Sequence, residues 1–188
     1  TTNISELVFF SDKANVYKLK TYDMPDSKVA AMGEYLPSLL GLEPGEKIIY
    51  TVVTKDFAGN MLFTFENGKM AKVELKNYET KNNRKKLIGA YSAKSPICDI
   101  KYLNEDTDIV LITENNRVLY MNTSLVPLKS TKSTQGVQVL RQPKGGIKPA
   151  KVELASVTTV PDAPKYVART IPAAAKTLKD GDGQMSLI

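Results

Sequence analysis

The side chains whose type and spacing point to chemistry are basic, and the chemistry is electrostatic. Lys72, Lys76, Lys81, Arg84, Lys85, Lys86 and Lys94 fall in one stretch, and Arg117, Lys129, Lys132, Arg141, Lys144 and Lys148 in a second. Residues 69–101 hold nine basic against three acidic side chains, and residues 115–152 hold seven basic and no acid. The first 68 residues lean the other way, with six lysines against nine acids, and residues 102–114 carry four acids and no base. Residues 153–188 hold four of each, so the formal net charge of +6 is carried by two blocks. Such blocks attract phosphate by Coulomb attraction and by release of condensed counterions. A solvated surface that merely keeps a protein dispersed carries the same signature, so charge alone leaves both readings open.

Other chemistries lack their residues. The chain has no histidine, which removes Ser–His and Cys–His pairs and an imidazole for zinc or for proton transfer near neutral pH. The single cysteine, Cys98, lies in the apolar stretch Pro96-Ile97-Cys98 and reads as a packed thiol in a reducing, cytoplasmic protein. Lys144-Gly145-Gly146 and Gly181-Asp182-Gly183 fit neither the P-loop nor the dinucleotide fingerprint. Glu105-Asp106-Thr107-Asp108 lacks the later glycine and glutamate of a calcium loop and reads as a hairpin connection. No catalytic residue, cofactor or metal ligand is therefore assigned, although a carboxylate-based enzyme remains a third reading. No Cys-x-x-Cys pair, basic recognition helix or aromatic RNA-binding motif is present to read bases. Tyr17, Tyr22, Tyr78, Tyr91 and Tyr120 could stack on bases, but they lie in strand-like runs and read first as packing residues.

The elements that must position these cations repeat. Residues 7–19 (LVFFSDKANVYKL), 61–73 (MLFTFENGKMAKV) and 109–121 (IVLITENNRVLYM) each show an apolar β-rich run, an acidic residue, a polar turn and a second run. Aligning Asp12, Glu66 and Glu114 gives spacings of 54 and 48 residues and brings Asn15, Lys69 and Arg117 into register. Asn67-Gly68 is a tight-turn pair, predicting two-residue hairpin turns there and at Lys13-Ala14 and Asn115-Asn116. Shorter strands are predicted at Lys47–Val53, Ile97–Leu103, Gly136–Arg141 and Lys151–Val157, and one helical turn within Ser27–Leu40 that Pro37 interrupts.

A repeat of about 50 residues built from short strands predicts an all-β fold of propeller-like blades, each too small to bury its apolar face alone. The expected organisation is a three-hairpin domain over residues 1–157, with repeats at about 5–47, 48–96 and 97–157. Residues 158–188, punctuated by prolines and glycines, read as a tail ordered only where it docks. No apolar run approaches the roughly 18–20 residues that span a bilayer, and Thr1–Phe10 lacks the pattern of a signal peptide.

Leu7–Tyr22 (LVFFSDKANVYKLKTY), Leu39–Ile48 (LLGLEPGEKI), Phe65–Val73 (FENGKMAKV) and Ser133–Arg141 (STQGVQVLR), taken in order, resemble the C-terminal β-pinwheel of bacterial type IIA topoisomerase A subunits. These subunits are found in DNA gyrase and topoisomerase IV, and the resemblance spans about residues 5–157. It implies blades that exchange strands with their neighbours and a basic outer rim that wraps or bends duplex DNA. It also implies partners: double-stranded DNA, the remainder of the A subunit with its DNA-cleaving tyrosine, and a separate ATPase B subunit. No catalytic tyrosine carries over to this chain. The basic, glycine-rich box of gyrase A subunits (Q-R-R-G-G-K-G) is absent, and the chain is expected to begin after its position. A full pinwheel has five or six blades, so three hairpins imply a fragment or a shortened version. Asp26–Tyr35 sits where relatives often carry arginine and glycine, which implies a weaker first-blade contribution to binding. The reading from another class is a propeller-like interaction module whose basic face takes an acidic protein.

Overall fold

A computed structural model describes residues 4–24, 32–80, 84–141, 146–158 and 164–178. Its first elements are β1 (Glu6–Ser11), β2 (Asn15–Lys20), α1 (Leu36–Leu40), β3 (Ile48–Thr54), β4 (Asn60–Phe65) and β5 (Lys69–Glu74). There follow β6 (Lys86–Ile88), β7 (Ile97–Leu103), β8 (Asp108–Thr113), β9 (Arg117–Asn122) and β10 (Leu128–Lys129). The last are β11 (Val137–Gln138), β12 (Pro149–Leu154), β13 (Val167–Ala168) and β14 (Lys176–Thr177), and single 3₁₀ turns follow β2, β5 and β9. The all-β expectation holds. Among the described residues no helix is long and apolar enough to cross a membrane.

Three sheets stack side by side, each built on one of the repeated hairpins. The first has strand order β3-β1-β2-β6; the second places β7 on β4 and both β10 and β11 on β5; the third places β12 on β8 and both β13 and β14 on β9. The outer strand of a sheet therefore comes from beyond the next hairpin: β6 follows β4–β5 in the chain yet pairs with β2, and β10–β11 follow β8–β9 yet pair with β5. Adjacent sheets are tied by exchanged strands as well as by packing.

The hairpin loops are three residues long, not two. The amides of Ala14, Gly68 and Asn116 donate to the carbonyls of Ser11, Phe65 and Thr113, and those three residues have φ of 56°, 76° and 54°. A turn closed this way and followed by a left-handed residue matches the right-handed twist of the flanking strands. Asn67-Gly68 thus marks the loop correctly, but its glycine serves the third loop position.

Strand alternation here separates one neighbour from the other instead of core from solvent. Met61, Phe63, Phe65, Ala71 and Val73 of the middle hairpin face Val8, Phe10, Val16 and Val52 of the first sheet. Leu62 and Met70 face Ile109, Leu111, Leu119 and Met121 of the third. Burial on both faces explains why these strands read as continuous apolar runs. The first interface is aromatic: Phe10 meets Phe63 edge-on at 5.7 Å and Tyr78 at 5.1 Å, and Phe63 stacks on Tyr91 at 5.3 Å. Of the tyrosines considered for base stacking, Tyr17, Tyr78, Tyr91 and Tyr120 are buried and only Tyr22 is exposed.

Each end of the stack is capped from within the chain. Leu36, Leu39, Leu40 and Leu42 cover Phe9, Tyr17 and Leu19 at the first end. Pro37 sits in the first turn of α1, where its missing N–H costs nothing, so it opens the helix and does not interrupt it. At the other end, Tyr166, Ala155 and Leu178 pack on Val110, Val118 and Tyr120. Within residues 158–188, expected to be ordered only where they dock, residues 164–178 dock on the chain's own third sheet: β13 pairs parallel and β14 antiparallel with β9, and Tyr166 is 2% exposed.

Two positions lock the exchanged segments. Gly136, at φ +70°, brings β11 so close to β5 that a Cβ would lie 1.9 Å from the carbonyl oxygen of Met70. Gly136→Ala is expected to lower the unfolding free energy by about 2 kcal/mol or more, measurable by urea titration, because backbone must move and the φ is strained. Glu46, 6% exposed, accepts hydrogen bonds from Ser11, from Asn15 at 2.9 Å and from Tyr17 at 2.6 Å, clamping the α1–β3 connection to the first hairpin. Burial pushes its carboxyl upward, but Ser11, Tyr17, Asn15 and the Glu43 amide together outweigh this and hold it at about 2. Because the folded value lies below the ordinary 4.5, the stabilisation is complete above about pH 4.5 and is lost as pH falls toward 2. Glu46→Gln is expected to remove about 2 kcal/mol at pH 7 and to flatten the acid limb between those values in melts run across pH.

Candidate nucleic-acid interface

The second and third sheets each have two edges of different electrostatic character, whereas β3 of the first sheet is flanked by exposed Lys47 and Lys55. On the edge formed by β3, β7 and β12, Lys101 and Lys151 are neutralised within their own strands, by Asp99 at 2.9 Å and Glu153 at 2.7 Å. On the opposite edge, formed by the exchanged strands, Lys86 of β6 pairs with Glu43 at 2.6 Å, and Arg84, Lys85, Arg117, Lys129 and Lys132 lie without carboxylate partners among the described residues. The carbonyl of Lys85 accepts the amide of Lys18, so Arg84 and Lys85 run along the edge of β2, both exposed. Lys129 pairs with Val73 along the edge of β5, and the Lys132 ammonium lies 5.8 Å from the Tyr78 ring centroid. Arg117, half-buried, opens β9 opposite Thr177. Among the described residues none of Arg84, Lys85, Lys94, Arg117, Lys129 and Lys132 forms an ion pair with a carboxylate.

The expected set divides under this geometry. Lys72 is corrected: it is 5% exposed between the second and third sheets, and its ammonium bonds Asp106 at 2.6 Å and the Thr123 carbonyl at 3.0 Å. That bond holds the Asp106 carboxyl below its ordinary value, with burial opposing. Lys72 pins neighbouring sheets, as Lys18 does one repeat earlier through Thr80 at 2.5 Å. A lysine inside a run of strand residues looks the same in sequence whether that face meets water or another sheet.

Three more candidates are exposed or half-buried but engaged. Lys76 pairs with Glu79 at 2.7 Å, Lys148 with Glu66 at 2.8 Å, and Lys86 with Glu43 at 2.6 Å while lying 5.3 Å from the Tyr17 ring centroid. The Glu43 bond, then that of Tyr17, raises the Lys86 ammonium above its usual range. Arg141 is exposed and donates to the Pro172 carbonyl at 3.2 Å, and Lys94 is exposed in the connection between β6 and β7. Lys81 and Lys144 lie outside the described residues. Three exposed cations outside the expected set lie on the segment carrying β13 and β14: Lys165, whose ammonium is 4.9 Å from the Tyr166 ring centroid, and Arg169 and Lys176. Their residues fall in a proline-punctuated stretch with balanced charge, so no block marks them.

The acidic group at 105–108 is structural: Asp106 also accepts from Thr123 at 2.9 Å and Asp108 accepts from Asn122 at 2.8 Å. Cys98 is half-buried beside the Pro149 carbonyl, and burial pushes its thiol up to about 11, so it is no nucleophile near neutral pH.

Comparison with known proteins agrees with the architecture. The family described as DNA gyrase C-terminal domain, beta-propeller, matches residues 5–55 and 107–147. The DNA gyrase A subunit of Helicobacter pylori (strain ATCC 700392 / 26695) is 36% identical over 76 residues, covering 39% of this chain and 9% of that protein. The chain therefore spans only a small part of the length of such relatives. The crystal structure of the C-terminal domain of DNA topoisomerase IV superposes with a TM-score of 0.72 at 22% identity, covering 85% of this chain and 50% of that one. The E. coli ParC C-terminal domain superposes at 0.69 and 16% identity, over 96% of this chain and 79% of that one.

Proposed function

We propose that this chain, which the family of DNA gyrase C-terminal beta-propeller domains matches over residues 5–55 and 107–147, is a C-terminal β-pinwheel of a bacterial type IIA topoisomerase A subunit that binds duplex DNA with little sequence preference and bends or wraps it along the exchanged-strand edge. The observation that carries this reading is that Arg84, Lys85, Arg117, Lys129 and Lys132 lie along that edge without carboxylate partners among the described residues, whereas Lys101 and Lys151 of the opposite edge are neutralised within their own strands. Contacts from Arg84, Lys85, Lys129, Lys132 and Arg117 reach phosphates and so position the duplex without reading bases. Bending costs energy that depends on the sequence deformed and is offset by the added phosphate contacts. Within a longer A subunit in the cytoplasm, the domain would present a DNA segment to cleavage machinery elsewhere in that subunit, with ATP hydrolysis supplied by a B subunit.

About five or six phosphate contacts give a log–log slope of affinity against salt of roughly −5. Ring closure of a short linear duplex by ligase, measured with and without the chain, should be accelerated by bending. A flat salt dependence, or tight binding that leaves ring closure unchanged, would count against wrapping and favour a basic face for an acidic protein.

A further inference from the structure

We infer that residues 164–178 serve the third sheet as residues 125–141 serve the second, and that Arg169 and Lys176 on this strap carry the duplex track onto the third sheet. The inference rests on the duplex-binding reading above.

Register supports the first half. Leu128 and Lys129 pair parallel with Lys72 and Val73, and Val137 and Gln138 pair antiparallel with Met70 and Lys69. Val167 and Ala168 pair parallel with Tyr120 and Met121, and Lys176 and Thr177 antiparallel with Val118 and Arg117. Every donor is displaced by 39 residues and every acceptor by 48, in the same order and orientation. The second sheet receives its strap after the β8–β9 hairpin, whereas the third receives its strap directly after β12, with no hairpin between. The two straps also bond each other: the Arg141 amide donates to the Ala173 carbonyl at 2.7 Å and the Ala173 amide to the Val139 carbonyl at 2.8 Å.

Placement supports the second half. Tyr166 and Ala175 are buried and hold the strap, while Arg169 and Lys176 are exposed. Among the described residues neither forms an ion pair with a carboxylate. Lys176 lies opposite Val118 and Arg117 opposite Thr177, so alternation puts Lys176 and Arg117 on the two faces of the same edge. The third sheet thereby gains a cationic edge matching Arg84 and Lys85 on the first and Lys129 and Lys132 on the second.

The test neutralises the strap pair, Arg169→Gln with Lys176→Gln, and separately the first-edge pair, Arg84→Gln with Lys85→Gln. Duplex binding is titrated across salt concentrations and thermal melting is measured for each. Each double variant is expected to make the log–log slope shallower by about 1.8, two contacts at 0.9 each, with melting unchanged. A strap variant with the unaltered slope beside a first-edge variant with a reduced one overturns the inference and leaves the duplex reading standing. Unaltered slopes in both defeat the duplex reading itself. A reduced slope together with a lowered melting temperature in the strap variant overturns direct contact, since the strap has then come loose.

Discussion

Reversing Arg84, Lys85, Lys129 and Lys132 to glutamate together is expected to weaken duplex binding about 100-fold or more at about 0.1 M salt, and to make the salt slope shallower by about 3.6. These four are chosen because they lie on exchanged strands or their flanks and have no carboxylate partner among the described residues. Lys86 is left out: a glutamate there would face Glu43, whose carboxylate now takes the Lys86 ammonium, and lost packing would mingle with lost charge. The loss should be similar for unrelated duplex sequences, because phosphate contacts carry no direct base information. The control is Lys55→Glu, an exposed position in the acidic first third with no carboxylate partner among the described residues. It should change affinity far less and leave thermal melting unchanged, since exposed charges contribute little to stability; melting of the fourfold variant is measured beside it because Lys129 and Lys132 are half-buried. Equal weakening by both variants would leave only diffuse attraction by the net charge of +6.

Ending the chain after residue 158 is expected to lower the unfolding free energy by about 3 kcal/mol or more. For a chain of this size that is a fall of roughly 6–12 °C in melting temperature. The cover of Val110, Val118 and Tyr120 is supplied by Tyr166 and Leu178 as well as Ala155, and Ala175 fills the interface with the second sheet. Exposing each large apolar side chain costs on the order of 1.5–3 kcal/mol, reduced by the chain entropy regained when the strap is released. Differential scanning calorimetry on the full and shortened chains decides it; coincident transitions would mean that the strap adds no net stability. Because this truncation removes Arg169 and Lys176 along with the packing, it bears on the fold and not on duplex contact.

The three hairpins are legible in the amino-acid sequence alone, because their information is local. Strand-forming runs of fixed length flank a turn whose last position accepts a left-handed residue, and Ala14, Gly68 and Asn116 fill that position at matching spacings. The accumulation of positive charge along the chain is legible in the same way. What those charges do is settled only by how the sheets pack. Lys72 and Arg84 both stand in the same basic block, but one is enclosed between sheets and the other lies on an open edge. Alternation within a strand reports two faces without saying whether the second meets water or another sheet. The exchanged strands were equally out of reach. β10, β11, β13 and β14 are two residues each, too short to carry a periodic signal, and they exist because β5 and β9 present unpaired backbone edges to them. Residues 164–178, with their prolines and balanced charge, have no pattern of their own that marks a strand. Their place comes from the register of β9 and from the apolar face that Tyr166 covers, contacts made across 45 residues or more of chain.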